Sequence, residues 1–353
     1  MSQARAVAFT APGHVEIIDL PANAPEAGEC LVAMRYSCIS PGTELRCLRG
    51  QQAGNPGFPF VPGYAACGVV VAAGRQSRFA EGARVYCHGE PRRLGVASCW
   101  GRHGSHLVFA DAGLLDLPDA VDDLHGCALK LAATPWHGLR RSLAQPHERV
   151  AVVGLGLIGQ LAARCYDLIG CAVAATDPAP KRAALARAVG IHVVAPAARL
   201  EDAFTDIFPA GAEVVVDCTG NAKILSHAAG IARELPWGDH DDAGPRLVVQ
   251  GSYAGDIVLD YATAFLREMT VIIPRADQLR DMVAVRDLVA RGRLRFTDLL
   301  ADIRPADTAP AAYHELATSP DAPPTIILDW APRRGGLAAD STLIPFGAPV
   351  VGA

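Results

Sequence analysis

Apolar and polar residues alternate over short stretches in the first part of the chain. Segments such as ARAVAFTAPGHVEIIDLP, GECLVAMRYSCI and GYAACGVVVAAG are separated by glycine and proline. Short alternating runs with such breaks are typical of strands joined by turns. The pattern therefore predicts a compact, partly closed β-domain. Within it, SCISPGTELRCLRG (residues 37–50) is predicted to be a polar turn flanked by two cysteines.

The pattern changes near residue 123. DDLHGCALKLAATPWHGLRRS has helical spacing and begins with an aspartate pair that can cap a helix. From residue 149, apolar strands alternate with helices. The predicted strands are RVAVVGLG, CAVAATD, AEVVVDCTGN, RLVVQGSYAG and MTVIIPR, and the predicted helices are LIGQLAARCYDLIG and APKRAALARAVGI. This alternation predicts a parallel sheet covered by helices on both faces.

The last part of the chain returns to the first pattern. A helix is predicted over DQLRDMVAVRDLVARGRL, and β-like segments follow, ending in PPTIILDW. We therefore predict one domain from residues 1–122 with 276–353 and a second from residues 123–275. Residues 331–353 are rich in Gly, Pro and Ala and are predicted to lie over the surface or to be disordered.

Length and charge narrow the class of protein. The 353 residues suit two domains, and the net charge is -5 with the basic residues spread along the chain. Scattered basic residues argue against a nucleic-acid partner. No apolar run reaches the ~18 residues of a membrane span, and the N-terminus lacks a signal-peptide core. We therefore expect a cytoplasmic protein without a membrane partner.

The ten cysteines are scattered and form no C-x-x-C pair. In a reducing compartment such cysteines are usually small core residues. One stretch has a metal-binding alternative, because Cys87, His88, Cys99, His103 and His106 lie close together in the sequence. Their spacing is irregular and fits no finger pattern. Ordinary loop residues are therefore the favoured interpretation, and a bound metal is the alternative.

A glycine motif follows the first strand of the second domain and opens a helix. Gly154 permits a tight turn, Gly156 lets the backbone approach a pyrophosphate, and Gly159 allows close packing of helix on strand. The helix, which starts at Leu157 and Ile158, supplies free N–H groups and the positive end of its dipole. The motif predicts a dinucleotide site.

An acid at the end of the next strand bears on the choice of cofactor. Asp177 lies 18 residues beyond Gly159. A carboxylate there accepts hydrogen bonds from the adenosine ribose and repels a 2′-phosphate, so NAD(H) is favoured over NADP(H). Arg182 is a second candidate, either reaching the ribose or the 2′ position or facing solvent.

The turns DCTGN and QGSYAG end two later strands. A dinucleotide fold places the nicotinamide at the carboxyl ends of its central strands. These turns therefore contain candidate contacts for the nicotinamide half, although small residues also suit any tight turn. The candidates in these turns are Cys218, Thr219, Gly220, Gly251, Ser252 and Tyr253, and Thr134 in the LAAT segment is a further candidate for binding the cofactor.

The order of these parts resembles one family. The motifs VPGYAACGVVVAAG, LAATPWHGL, VVGLGLIG and GSYAGDI are similar to those of the medium-chain dehydrogenase/reductase, or zinc alcohol dehydrogenase-like, superfamily, over about residues 4–330. The resemblance implies an α/β chain with a GroES-like β-rich catalytic domain and a Rossmann doubly wound parallel-sheet domain. It also implies a homodimer through the edge strand MTVIIP. The Ser-x-Gly-Thr-Glu, VPGY, LAAT and ILDW segments are most similar to those of 3-hydroxyethyl bacteriochlorophyllide a dehydrogenase-like proteins.

The resemblance also locates the three metal ligands of the zinc-dependent members. A cysteine two residues before the Thr43-Glu44 pair is replaced by Pro41, and the histidine of a Gly-His-Glu turn is replaced by Tyr64. The best match to the third ligand is Lys130. Catalytic zinc needs three N, S or O ligands around an open position. The resemblance therefore implies a member without zinc.

Side chains must then handle the proton that accompanies hydride transfer. Thr43 matches the proton-relay hydroxyl of the family. Tyr64 either points its hydroxyl at the reacting oxygen or simply packs. Lys130 either stabilises an alkoxide or an anionic substrate group or lies on a helix surface. Glu44 is expected mainly to orient the turn, through Arg46 or another base, with chemistry secondary.

Together these residues predict an NAD(H)-dependent oxidoreductase that interconverts a secondary alcohol and a ketone. The resemblance suggests a hydroxyethyl tetrapyrrole as the substrate, whereas Lys130 better suits a sugar or cyclitol. A quinone or enoyl reductase and a non-catalytic NAD-binding protein are further alternatives.

Overall fold

The computed structural model describes residues 4–238, 244–253, 255–331 and 342–343. Among these, one unit holds the residues up to 130 and those from 286 onward, and the other holds residues 131–285. The chain passes from one unit to the other at residues 130–131 and again at residues 285–286. Both points lie inside helices and come somewhat later in the sequence than the predicted domain boundaries. Each unit has its own buried apolar core.

Strands predominate up to Asp116, and strands mostly alternate with helices from Arg149 onward. The strands are β1 (Ala4–Ala11), β2 (His14–Leu20), β3 (Glu29–Cys38), β4 (Phe60–Val61), β5 (Ala66–Ala73), β6 (Arg84–Cys87), β7 (Ala97–Ser98), β8 (His106–Ala110), β9 (Leu114–Asp116), β10 (Arg149–Val153), β11 (Ala172–Thr176), β12 (His192–Val193), β13 (Val214–Asp217), β14 (Arg246–Val249), β15 (Thr270–Ile272), β16 (Ile303–Pro305), β17 (Ile327–Asp329) and β18 (Thr342–Leu343). The α-helices are α1 (Pro41–Leu48), α2 (Asp123–Cys127), α3 (Leu129–Ser142), α4 (Leu157–Leu168), α5 (Pro180–Ala188), α6 (Ala222–Ala229), α7 (Tyr261–Phe265), α8 (Leu279–Ala290) and α9 (Ala309–Thr318).

Two sheets form most of the first unit. One has the strand order β18-β2-β1-β4-β7, and the other has the order β16-β17-β3-β5-β6-β9, with β8 also paired to β3. Most neighbours are antiparallel, as between β1 and β2 and between β3 and β5. This confirms the predicted β-rich domain, in which β3 leads directly towards the segment of the candidate site.

One parallel sheet with the order β12-β11-β10-β13-β14-β15 forms the centre of the second unit. The chain starts at β10, moves outward through β11 to β12, and then returns to the other side of β10 with β13. This is the doubly wound order, and ligands of such sheets bind where the order reverses, at the carboxyl ends of the strands. Strands β10 and β13 are almost completely buried, as their continuous apolar sequences predict.

The polar turn predicted for residues 37–50 is wrong, because Pro41–Leu48 forms α1. Pro41 is the first helical residue. The backbone N–H of a residue at this position has no partner within the helix, so proline, which lacks that N–H, loses no hydrogen bond there. The Glu44 carboxylate accepts a hydrogen bond from the backbone N–H of Ser40 at 3.0 Å and so holds the start of the helix. The Ser-Pro-Gly start has the composition of a turn, which is why the pattern does not reveal the helix.

The β-like segments predicted after α8 are present as β16 and β17, but the structure also has α9 between them, which the pattern did not predict. This helix is rich in alanine, so its apolar contrast is weak and its periodicity is hard to detect. It contributes Tyr313 to the core, where the ring packs edge-to-face on Phe9 at a centroid distance of 5.1 Å. The predicted surface or disordered tail falls largely outside the described residues, apart from Ala331 and the backbone of β18.

The described cysteines are free thiols. Nine are buried and Cys218 is half-buried, so their main role is that of small core residues, as predicted. In the part of the chain that the structure describes, no helix is long and apolar enough to cross a membrane.

Candidate functional site

The glycine turn of the second unit, residues 154–159, has the geometry that its motif predicts. Gly154 has φ +88°, a conformation that L residues rarely adopt. A Cβ on Gly159 would lie 1.8 Å from the Gly154 carbonyl oxygen, so only glycine lets α4 approach the turn. A Cβ on Gly156 would meet nothing within 4 Å, which leaves the backbone open to a ligand. The three glycines thus serve three separate purposes.

Helix α4 begins directly after this turn, with Gly156 as its N-cap residue and Leu157 and Ile158 as its first helical residues. The first N–H groups of any helix have no partner within it, and the dipole adds positive potential there. A buried strand, an open glycine and a helix N-terminus together fit the pyrophosphate of a dinucleotide.

Asp177 lies directly after β11 and is almost fully buried. One carboxylate oxygen accepts from the N–H of Leu155 at 2.7 Å, inside the glycine turn, and the other accepts from the N–H of Ala179 at 2.8 Å. Arg182 places a guanidinium nitrogen 3.8 Å from the same carboxylate. The structure therefore brings both predicted ribose residues together, and it gives Asp177 a second role in fixing the glycine turn.

The two turns after β13 and β14 approach each other closely. A Cβ on Gly220 would lie 2.9 Å from the carbonyl oxygen of Ser252, and one on Gly251 would lie 2.5 Å from the amide nitrogen of Gly220. Thr219 reaches back to the glycine turn, since a Cβ on Gly154 would lie 3.0 Å from its methyl group. Cys218, next to Thr219, is half-buried, and burial raises the pKa of its thiol.

Asp217, which the sequence reasoning missed, lies at the centre of these turns. It is fully buried, and its Oδ1 accepts from the Thr219 N–H at 3.1 Å and from the Thr219 hydroxyl at 2.8 Å. Its Oδ2 accepts from the Tyr253 hydroxyl, and its carbonyl accepts from the Gly251 N–H at 2.7 Å. Burial raises the pKa of Asp217 to about 6, although the Thr219 hydrogen bonds oppose the shift. The only sequence signal was a carboxylate at the end of an apolar strand.

Thr134 lies on α3 and contacts the same region through its backbone. Its carbonyl accepts from the side-chain amide of Gln250 at 3.4 Å. Gly138 lies close to the same side chain, since a Cβ there would lie 1.9 Å from the Gln250 side-chain oxygen. The described cofactor candidates of the second unit are therefore neighbours rather than scattered residues.

In the first unit, Ser40, Thr43 and Tyr64 form a hydroxyl cluster. The Tyr64 hydroxyl donates to the Ser40 hydroxyl at 2.5 Å. Burial raises the pKa of Tyr64 and the Glu44 charge raises it further, while hydrogen bonds with Ser40 and Thr43 lower it. Tyr64 is therefore protonated near neutral pH and can act as a proton donor. Ser40 was not among the predicted site residues.

Lys130 and Trp100 complete the surroundings of Tyr64. The Lys130 Nζ lies 5.9 Å from the centre of the Tyr64 ring, within the range of a cation–π contact. The Trp100 ring packs edge-to-face on Tyr64 at a centroid distance of 5.1 Å. The backbone of Tyr64 is fixed as well, since its carbonyl accepts from Tyr86 at 3.0 Å and from Arg102 at 2.8 Å. The structure thus brings together Tyr64 and Lys130, two of the residues that the resemblance places at the family's ligand positions.

Glu44 faces away from this cluster into the core. It is fully buried, and besides Ser40 it contacts His103 at 2.9 Å and accepts from the Tyr313 hydroxyl. His103 extends the chain of contacts to Ser37 at 2.7 Å. The base that contacts Glu44 is therefore His103, and this arrangement suits the orienting role of Glu44.

The cysteines and histidines between residues 87 and 106 have separate partners. Cys99 faces Cys47, Cys87 faces Met34, and His103 faces Ser37 and Glu44. Within the described residues, no three His, Cys, Asp or Glu side chains form a metal-holding group. Burial lowers the pKa of His88 to about 4, and the positive charges of Arg102 and Lys130 lower it further.

The side chains that the resemblance places at the three ligand positions do not fit a catalytic zinc. The side chain of Pro41, the first residue of α1, has no donor atom, and the raised pKa of Tyr64 keeps it a neutral phenol rather than an anionic ligand. Lys130 would bring an ammonium rather than a lone pair to the third position. Zinc takes thiolate, imidazole or carboxylate ligands. The residues that surround the glycine turn, by contrast, fit a nicotinamide dinucleotide.

Comparisons with known proteins agree with both units. The alcohol dehydrogenase GroES-like domain matches residues 26–119, and the zinc-binding dehydrogenase domain matches residues 158–273. A 2-desacetyl-2-hydroxyethyl bacteriochlorophyllide A dehydrogenase from Cereibacter sphaeroides is 30% identical over 338 residues, covering 92% of this chain and 98% of that protein.

Solved structures show the same fold. The structure of an alcohol dehydrogenase from Escherichia coli CFT073 complexed with NADH has a TM-score of 0.81 at 18% identity, covering 93% of this chain and 100% of that one. A dehydrogenase structure from Sinorhizobium meliloti 1021 bound to NADP has a TM-score of 0.79 at 22% identity, with coverage of 93% and 100%. With the domain matches and the relative at 30% identity, we conclude that the chain belongs to the zinc alcohol dehydrogenase-like, or medium-chain dehydrogenase/reductase, superfamily.

Proposed function

We propose that this chain is a zinc-independent, NAD(H)-dependent oxidoreductase that interconverts a secondary alcohol and a ketone. The observation that carries the proposal is the pairing of Tyr64 with Lys130, whose Nζ lies 5.9 Å from the ring centre, at positions that the resemblance assigns to zinc ligands. A phenol and an ammonium can do what zinc does elsewhere, namely polarise a carbonyl oxygen and stabilise the alkoxide that forms. Family membership supplies the oxidoreductase class, and the donor set argues against zinc.

Each residue has a definite task in this reaction. The nicotinamide, when bound, supplies or accepts the hydride. In the direction of ketone reduction, the protonated Tyr64 donates its proton to the carbonyl oxygen as negative charge develops there. Ser40 and Thr43 then return a proton to the phenol through the hydroxyl cluster. Lys130 stabilises the oxyanion by its positive charge.

NAD(H) is the proposed cofactor rather than NADP(H). The support is the buried carboxylate of Asp177 at the end of β11, where a 2′-phosphate would meet negative charge. Arg182, 3.8 Å away, neutralises part of that charge and is the reason for measuring both cofactors.

The proposed substrate is a hydroxyethyl tetrapyrrole or its acetyl counterpart. The support is the relative named as a bacteriochlorophyllide dehydrogenase, which this chain matches over 98% of its length. A sugar or cyclitol is the second candidate, because the Lys130 ammonium next to Tyr64 suits a polar or anionic group. In either case, the proposed reaction takes place at a secondary alcohol that contacts the hydroxyl cluster.

Two other activities are tested by the same assay. A quinone or enoyl reductase would reduce an activated double bond and leave simple ketones unchanged. A non-catalytic protein would bind NADH tightly and turn over nothing. A secondary alcohol oxidised with NAD+ to a ketone distinguishes our proposal from both.

We also propose a cytoplasmic homodimer that pairs through β15. This strand is at the edge of the parallel sheet. Val271 within the strand and Ile273 directly after it are exposed. Nearby in the sequence, Tyr261 and Trp237 both pack against Phe265, and all three rings are exposed. An apolar sheet edge favours pairing with a second copy. A Val271→Lys variant should sediment as a monomer if the edge is the interface, and an unchanged dimer would exclude it.

The test of the proposal combines metal analysis with a substrate panel. The purified protein is treated with a chelator, its zinc content is measured, and oxidation of secondary alcohols with NAD+ is compared before and after treatment. We expect far less than one zinc per chain and the same turnover after chelation. Stoichiometric zinc with activity that disappears on chelation and returns on adding zinc would overturn the proposal. The panel should contain a hydroxyethyl tetrapyrrole, a polyol, a quinone and an enone.

A further inference from the structure

Two buried thiols of the first unit lie side by side. The sulfur atoms of Cys47 and Cys99 are 3.9 Å apart, although the residues are 52 positions apart in the sequence. Cys47 is completely buried, and Cys99 is 7% exposed, so a small molecule can reach the pair only from the Cys99 side. An S–S bond is about 2.0 Å long, so a shift of about 2 Å would join them.

These two cysteines belong to the two elements that hold the hydroxyl cluster. Cys47 lies one helical turn after Thr43 on α1, so the two side chains share a face of that helix. Cys99 directly precedes Trp100, whose ring packs on Tyr64. Trp100 has φ +67°, so this short segment already holds an unfavourable backbone conformation. A covalent bond here would pull α1 and the Trp100 segment together on either side of Tyr64.

The two thiols are not equivalent. Cys99 is 7% exposed and Cys47 is completely buried, and either thiol can donate the hydrogen bond between them. The thiolate is the reactive form of cysteine. Cys99 is therefore the more accessible partner and the first to meet an oxidant, and the Cys47 sulfur, 3.9 Å away, is placed to attack an oxidised Cys99.

We propose that Cys47 and Cys99 are a redox-sensitive pair whose disulfide reversibly inactivates the enzyme, with a peroxide as oxidant. The Cys99 thiolate attacks one peroxide oxygen, the O–O bond breaks, and a sulfenic acid forms with release of water after protonation. The Cys47 sulfur then attacks the Cys99 sulfur, loses its proton, and displaces a second water. Two thiols lose two electrons and the peroxide gains them, so the step balances. A dithiol reverses it by exchange.

The experiment treats the native full-length protein with hydrogen peroxide, blocks the remaining thiols, and maps disulfides by mass spectrometry. Turnover is measured before oxidation, after it, and after reduction with dithiothreitol. Cys47→Ser and Cys99→Ser remove either partner. Cys171→Ser is the matched control, because Cys171 is 6% exposed and lies in the second unit.

We expect a Cys47–Cys99 cross-link in the wild type and in Cys171→Ser, with turnover at least tenfold lower until reduction, since displacements of about 1 Å can cost a hundredfold in rate. Both serine variants at the pair should keep their turnover under the same treatment. Failure to find this cross-link, a cross-link without loss of turnover, or equal inactivation of Cys47→Ser would each overturn the proposal. The loss of turnover rests on the proposed function, but the mapping does not, so the two failures are distinguishable.

Discussion

The glycine turn of the second unit and the hydroxyl cluster of the first are built from different groups. The turn uses backbone and the absence of side chains: Gly154, Gly156 and Gly159 lie within six residues and need only the adjoining strand and helix. The hydroxyl cluster uses side chains whose supports come from distant segments. Tyr64 bonds to Ser40 on one side and packs on Trp100 on the other.

This difference bears on how each site can change. A backbone cradle is specified by a local motif, so its chemistry is the same wherever the motif occurs. A site made of side chains can exchange its reacting groups while the supporting fold stays. Under our proposal, Pro41, Tyr64 and Lys130 replace ligand-type residues while the glycine turn stays intact, which is such a case.

The largest effect is expected from the glycine turn. Gly159→Ala places a methyl group against the Gly154 carbonyl, 1.8 Å from an ideal Cβ, and should lower the free energy of unfolding by at least about 4 kcal/mol. Gly156→Ala is the matched control, because its Cβ meets nothing within 4 Å. That variant should fold normally and bind NADH more weakly. Urea denaturation measures the loss of stability and NADH titration measures the loss of cofactor binding. Equal losses of stability in Gly159→Ala and Gly156→Ala would contradict the separate roles assigned to the two glycines.

A pH-dependent effect is expected from Asp217. Its pKa rises from the ordinary 3.8 to about 6 in the folded state, so the folded protein binds the proton more tightly than the unfolded chain does. The contribution of Asp217 to stability is therefore present below pH 4 and is lost as the pH rises to about 6. This rise in the pKa of Asp217 corresponds to a contribution of about 3 kcal/mol to the free energy of unfolding.

The Asp217→Asn variant cannot ionise at this position. Its stability relative to wild type should therefore rise between pH 4 and pH 6 and then stay level. Urea denaturation at several pH values measures the difference. A difference that is flat across this range would show that Asp217 does not titrate there.

A smaller loss of stability is expected from the support of α1. Glu44→Gln keeps the shape of the side chain but turns one acceptor into a donor facing other donors, which should cost about 2 kcal/mol. Glu16→Gln is the control, because Glu16 is on β2 and accepts from Thr10 in a half-buried position. The control should lose less than about 0.5 kcal/mol. Similar losses in urea denaturation would mean that Glu44 does not support the start of α1.

The smallest effect is expected at the ribose end. Asp177→Ser should reduce the preference for NADH over NADPH by about tenfold, or about 1.4 kcal/mol, by removing the negative charge. Arg182→Ala should keep or increase that preference, since it removes the positive charge 3.8 Å from Asp177. Steady-state KM values for both cofactors measure the ratio. If Asp177→Ser has the same ratio of KM values for NADH and NADPH as the wild type, Asp177 does not determine the choice of cofactor.

Much of the second unit could be predicted from the sequence. Its strands are continuous apolar runs and its glycine motif is local, so the parallel sheet and the turn both follow from short-range pattern. Asp217 was missed because its partners, Thr219 and Tyr253, come together only when β13 and β14 pair. A single carboxylate at the end of a strand carries no signal of its burial.

The catalytic side was less predictable. The pairing of Tyr64 with Lys130 was suggested only by family position, and Ser40 was missed as its partner. The hydrogen bond from Tyr313 to Glu44 could not be predicted, because Tyr313 lies 269 residues after Glu44. It is also on α9, a helix whose periodicity is too weak to detect in the sequence. Contacts between distant segments depend on the tertiary fold, which no local pattern reports.

The most direct test of the central claim measures hydride transfer in a single turnover. Tyr64→Phe keeps the ring and its contact with Trp100 but removes the proton that zinc-free chemistry needs. We expect the rate of hydride transfer to fall by at least about a hundredfold while the Kd for NADH stays within about twofold, and Tyr261→Phe, an exposed control, to match the wild type. A Tyr64→Phe variant that transfers hydride at the wild-type rate would contradict the account.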